Sequence, residues 1–111
     1  MIVEFVQFRR PKGWSRDEVL ADARATIDKW RANTRLVRKH YLIGEGDMVG
    51  AFYIWPSRAD AEAAHDAVWR AGVEQKTGAP PQIDYFDLTM IVDNAAGSVT
   101  EFAAASEEWR G

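Results

Sequence analysis

The order in which hydrophobic periodicity changes along the chain restricts its fold more than any other feature. Ile2 to Arg9 alternates with period two: Ile2, Val6 and Phe8 point one way with Glu4 among them, and Val3 and Phe5 point the other way with Gln7. Arg10-Pro11-Lys12-Gly13 breaks that strand. Ser15 and Glu18 have the spacing of a capping box. Leu20, Ala23, Ile27 and Trp30 then recur at helical spacing, which predicts a helix to about Ala32. Leu36 to Ile43 and Met48 to Trp55 read as a hairpin joined by Gly44-Glu45-Gly46-Asp47. Pro56 stops the third strand, and Ser57 caps a second helix with Asp60 in its first turn. That helix carries Ala61, Ala64, Val68, Ala71 and Gly72 on one narrow face, small enough for close approach to a sheet. Gly78-Ala79-Pro80-Pro81 ends the connection, and Ile83 to Val92 reads as a fourth strand. The order is βαββαβ, an α+β chain with a four-stranded antiparallel sheet.

Residues 1–94 form this one domain, and residues 95–111 form a tail. Ser98 and Glu101 repeat the capping-box spacing, with Phe102, Ala105 and Trp109 as a stripe, so the tail is expected to be a short helix that docks on a partner subunit. A partner is expected for a second reason. Two helices cover one face of a four-stranded sheet, yet strands one, three and four carry apolar residues on both faces. A second copy packed sheet against sheet would cover the other face, burying on the order of 800 Å² per partner.

Composition narrows the function classes. Cysteine is absent, which removes disulfides, thiolate metal sites and cysteine nucleophiles, and fits a reducing, cytoplasmic compartment. Met1 runs straight into a strand, and no apolar run approaches the roughly 20 residues that span a bilayer, so neither a secretory leader nor a membrane span is expected. The net charge of −3 argues against a nucleic-acid partner. RNA-recognition motifs share the element order. Val49 to Trp55 is partly similar to their third strand, but the leading basic residue is absent and one position between Gly50 and Ala51 is missing. The basic stretch Arg31 to His40 reads as a solvated helix end and strand edge.

Few residues carry chemistry. Gly44-Glu45-Gly46 begins like a dinucleotide fingerprint, but position 49 is Val and no helix follows, so it reads as a hairpin turn. His65 lies on or beside the sheet-facing stripe of the second helix. A core histidine is its commoner state; facing a cavity, it would suit general-base work near neutral pH. His40, in phase with Leu36, Arg38 and Leu42, reads as a solvated or interface residue. A metal site from His40, His65 and Asp87 would require three separate elements to converge, so no metal is expected. Asp87 falls in phase with Tyr85, Thr89 and Ile91 and reads as a hydrogen-bonded or strand-end carboxylate. Trp30, Tyr53 and Trp55 are candidate walls for a pocket that takes flat rings, while Trp69 and Trp109 face outward or toward a partner.

Gly50-Ala51-Phe52-Tyr53-Ile54-Trp55-Pro56-Ser57, running into an Ala-rich helix, resembles the strand-to-helix joint of the antibiotic-biosynthesis-monooxygenase-like superfamily. The Pro11-Lys12-Gly13 loop and Tyr85-Phe86-Asp87 are similar to features of a small bacterial branch of it. The resemblance covers most of residues 2–94 and implies a dimeric α+β barrel of ferredoxin-like topology, with a pocket between sheet and helices in each subunit. It further implies an oxygenase that oxidises small aromatic or cyclic compounds without flavin, haem or metal. His65 would then be the base, with Gln7, Trp30, Tyr53, Trp55 and Asp87 around the substrate. Other relatives isomerise or dehydrate cyclic compounds, and a non-catalytic binding or stress-response dimer is a further alternative. A haem-degrading branch uses Asn, Trp and His where this chain has Gln7, Ala64 and Glu74, so haem degradation is not expected.

Overall fold

A computed structural model describes residues 1–109. Its main sheet is built from β1 (Ile2–Arg9), β2 (Arg38–Ile43), β3 (Met48–Trp55) and β4 (Gln82–Asp87), in the order β2-β3-β1-β4. Every neighbouring pair is antiparallel. With the helices between β1 and β2 and between β3 and β4, this is the expected ferredoxin-like α+β topology. The register follows the pleat. Ile2, Glu4 and Val6 lie opposite Trp55, Tyr53 and Ala51, and all six are buried against the helices. Val3, Phe5 and Gln7 lie opposite Ile54, Phe52 and Gly50 on the other face. The core, formed by Ile2, Val6, Trp30, Ala51, Tyr53, Trp55 and Ala61, therefore sits between sheet and helices.

Both predicted helices are divided. The first consists of α1 (Arg16–Ala25) and α2 (Ile27–Ala32). At Thr26 both the amide and the side-chain hydroxyl donate to the Ala23 carbonyl, at 3.0 and 2.7 Å, which tightens the turn between them. The second consists of α3 (Arg58–Ala64) and α4 (Ala67–Thr77). Asp66 accepts from the Trp69 amide at 2.9 Å and starts α4 with its own N-cap. The fresh start shifts the helical phase. Val68, expected on the sheet-facing stripe, is 81% exposed, and Trp69, expected outside, packs against the core.

The end of the chain also departs from the sequence reading. The fourth strand stops at Asp87, and β5 (Met90–Asp93) pairs instead with β6 (Ser98–Glu101) in a separate two-stranded sheet. The Ser98/Glu101 pattern thus does not start a helix. Val99 and Thr100, both β-branched, pair with Val92 and Ile91 across a turn that uses Gly97 at φ 69°. Among the described residues, helical geometry in the tail is confined to a 3₁₀ turn at Glu107–Trp109, and Ala105 and Trp109 pack against the core of their own chain.

Gly50 marks a close approach between strands. A Cβ there would collide with the backbone carbonyl of Val6, which cannot move aside without shifting β1. Gly50→Ala is expected to destabilise the fold by about 1–3 kcal/mol. A urea midpoint unchanged from the parent would show that the two central strands can separate locally at no cost.

Candidate functional site

The helices do not close completely on the sheet. Between them lies a cavity of about 670 Å³. Its walls are mostly apolar and aromatic: Trp14 and Trp30 on one side, Tyr41 and Tyr53 from the sheet, and Trp69 and Val73 from α4. The strand pleat explains the sheet side. Lys39 and Tyr41 of β2 lie opposite Tyr53 and Ala51, so they share the helix-facing surface. The Tyr41 hydroxyl meets the Thr26 hydroxyl at 2.6 Å, tying the sheet edge to the α1–α2 joint.

Lys39 stands inside this aromatic wall. Its Nζ lies 4.0 Å from the Tyr41 ring centroid, 4.4 Å from Trp30 and 4.8 Å from Tyr53. Burial lowers its pKa from 10.5 to about 7; the neighbouring Lys29 adds to the effect and Asp22 opposes it. Burial, reinforced by Glu4 and then Tyr41, pushes the Tyr53 hydroxyl far above its ordinary value, so Tyr53 stays neutral. Asp22 is engaged elsewhere, in an ion pair with Lys76 at 2.8 Å.

Behind the cavity wall lies a buried polar cluster. Glu4 Oε1 accepts from Trp55 Nε1 at 3.0 Å and meets His65 Nδ1 at 2.8 Å. Both the carboxylate and the imidazole are fully buried. With Glu4 ionised, Nδ1 must carry a hydrogen. The imidazole is walled by the rings of Trp69, Tyr53 and Trp30, at centroid distances of 4.3, 4.6 and 5.4 Å. Among the described residues, His65 Nε2 and Glu4 Oε2 have no hydrogen-bond partner.

The expected site residues separate into groups. Trp30 and Tyr53 line the cavity. Trp55 and His65 lie one layer behind it, among the buried rings. His65 therefore cannot reach a ligand proton in the cavity past Trp69, Tyr53 and Trp30, contrary to its expected role as base. Gln7 points to the opposite face of the sheet, because β1 alternates and Glu4 and Val6 take the helix side. Asp87 accepts from the Ala105 amide at 3.1 Å and holds the tail rather than a substrate. His40 also faces away from the cavity, stacked on Phe52 with centroids 4.1 Å apart, so it and His65 do not converge.

Sequence reasoning missed Lys39 and Glu4. Glu4 had a signal, an acid in phase with Ile2 and Val6 on a strand. Lys39 is in phase with Tyr41 on β2, but its place in a basic stretch made it read as solvated.

No family model matches the chain, and no curated protein matches it in sequence. Solved structures do. A protein of unknown function from Nitrosomonas europaea superposes with a TM-score of 0.62 at 20% identity, over 78% of this chain and 87% of that one. An antibiotic biosynthesis monooxygenase superposes with a TM-score of 0.60 at 16% identity, over 80% of this chain and 99% of that one. The likeness is one of fold: the chain shares a ferredoxin-like α+β architecture with these two structures.

Proposed function

We propose that the chain is a cofactor-independent, monooxygenase-like enzyme that oxidises a small aromatic phenol or related cyclic compound in this cavity, working as a homodimer with sheets packed face to face. The observation that carries the reading is the cavity itself, apolar, walled by aromatic rings and large enough for a fused-ring compound. The fold shared with an antibiotic biosynthesis monooxygenase supports it by analogy. The dimer is supported by the open sheet face, where Val3, Phe5, Phe52 and Phe86 lie side by side across three strands.

The chemistry asks little of the protein. An ionised phenol is electron-rich enough to reduce dioxygen itself. One oxygen atom enters the ring, the other leaves as water, and the ring supplies all the electrons as it becomes a quinone. The protein has to orient the ring, exclude water and help remove a proton. Within this reading His65 is a positioning residue: Glu4 fixes its ring, and that ring backs Trp30, Tyr53 and Trp69.

An oxygen electrode with a panel of polycyclic phenols tests this. One compound class is expected to consume one dioxygen per quinone formed, with no flavin, haem or metal added. Val73→Trp, which fills the cavity from α4, is expected to lower that rate at least tenfold, a loss of about 1.4 kcal/mol in transition-state binding. Ligand binding without oxygen uptake would favour a non-catalytic binding dimer instead.

A further inference from the structure

The cavity's charges do not balance. Arg16, Lys29, Lys39 and Lys76 line it, against Asp22 as the one acid among the described residues, and Lys76 already engages Asp22. The excess is local, since the chain as a whole carries a charge of −3. Among the described residues no carboxylate lies within ion-pair distance of Lys39 Nζ. Its surroundings are the rings of Trp30, Tyr41 and Tyr53. Ring faces attract an ammonium, but they do not replace the water that burial removes. An anion in the cavity would complete this site.

The groups around Lys39 define what that anion must be. Lys29 faces it from α2, Asp22 from α1, and the rings of Tyr41 and Tyr53 from the sheet; Arg16 and Lys76 line the same cavity from α1 and α4. A carboxylate is ionised before it arrives and needs only a cation. A lysine poised near neutrality is matched to a weaker acid, one that has to be deprotonated in place. The aromatic walls select a flat ring to carry that acid.

We infer that the cavity takes an aromatic phenol with its hydroxyl oxygen against Lys39 Nζ, and that neutral Lys39 removes the hydroxyl proton and then holds the phenolate as its ammonium ion. The O–H bond breaks, an N–H bond forms, and the electron pair stays on oxygen; the step involves no oxidation. This inference rests on reading the cavity as a ring-binding site, and it moves the base from His65 to Lys39.

A binding experiment separates the two ideas without turnover. The full chain is titrated at pH 6.5 with 7-hydroxycoumarin, whose excitation spectrum distinguishes phenol from phenolate, and with 7-methoxycoumarin, which cannot ionise. The parent is expected to bind the hydroxy dye as phenolate although the free dye is mostly protonated at that pH. Lys39→Met is expected to lose the phenolate band and bind the hydroxy dye about tenfold to a hundredfold more weakly. The same variant should bind the methoxy dye within about twofold of the parent, which also shows that its cavity has folded. Lys39→Arg, a permanent cation, should keep the phenolate band. A hydroxy dye that binds without ionising, or a phenolate band that survives in Lys39→Met, overturns the assignment to Lys39 and leaves the cavity reading standing. Failure of both dyes to bind the parent overturns the cavity reading, and this inference falls with it.

Discussion

Glu4→Ala is expected to be the most damaging single substitution in the chain, costing about 3–5 kcal/mol of stability. The carboxylate is the shared acceptor for His65 Nδ1 and Trp55 Nε1 at the centre of the core. Removing it leaves two buried donors without a partner, and a void on β1 beside Ile2 and Val6. A domain of this size has only about 5–15 kcal/mol in total. Glu4→Gln keeps one carbonyl acceptor and should lose less, about 1–3 kcal/mol. Urea denaturation followed by tryptophan fluorescence measures both, provided the slope of the transition is unchanged. A Glu4→Ala midpoint within about 1 kcal/mol of the parent would mean that the cluster does not hold sheet and helices together.

The second large effect is one of sign as well as size. Lys39 loses its proton at about 7 in the folded chain, against an ordinary value of 10.5. Below pH 7 both folded and unfolded chains carry the proton, and the folded chain bears the whole cost of burying it. Between pH 7 and 10.5 the unfolded chain binds more protons, so stability rises with pH; above that window the gain is complete. Lys39→Met removes the titrating group. It should therefore be more stable than the parent at pH 6, by about 2–4 kcal/mol, and the two curves should converge as pH rises to about 10. Parallel curves for parent and variant would show that the ammonium is adequately solvated and that burial does not set its behaviour.

Much of the fold was legible because the physics behind it is local. The alternation of Ile2 to Arg9, the Ser15 and Ser57 caps and the Gly46 turn each depend on a few adjacent residues, and each holds in the structure. What failed depends on competition. Asp66 could sit on the polar face of one long helix or cap a new one; its cap to Trp69 decided the phase of everything after it. Ser98 and Glu101 offer a helix start, but Val99 finds a cross-strand partner in Val92. The candidate site was legible in its aromatic members Trp30 and Tyr53. Its polar members were not, because the place of Lys39 depends on β2 lying beside β3, and the partners of Glu4 come from residues 51 and 61 positions away in sequence.

The separate cap at Asp66 also has a kinetic consequence. Trp69, Val73 and Lys76 reach the cavity from α4, which begins its own run of backbone bonds rather than continuing those of α3. The helix can thus fray and re-form as one unit while α3 stays wound and the sheet stays paired. Amide hydrogen exchange along residues 70–77 is expected to run faster than along the paired central strands, and equal protection in the two would show that α4 opens only with the whole fold.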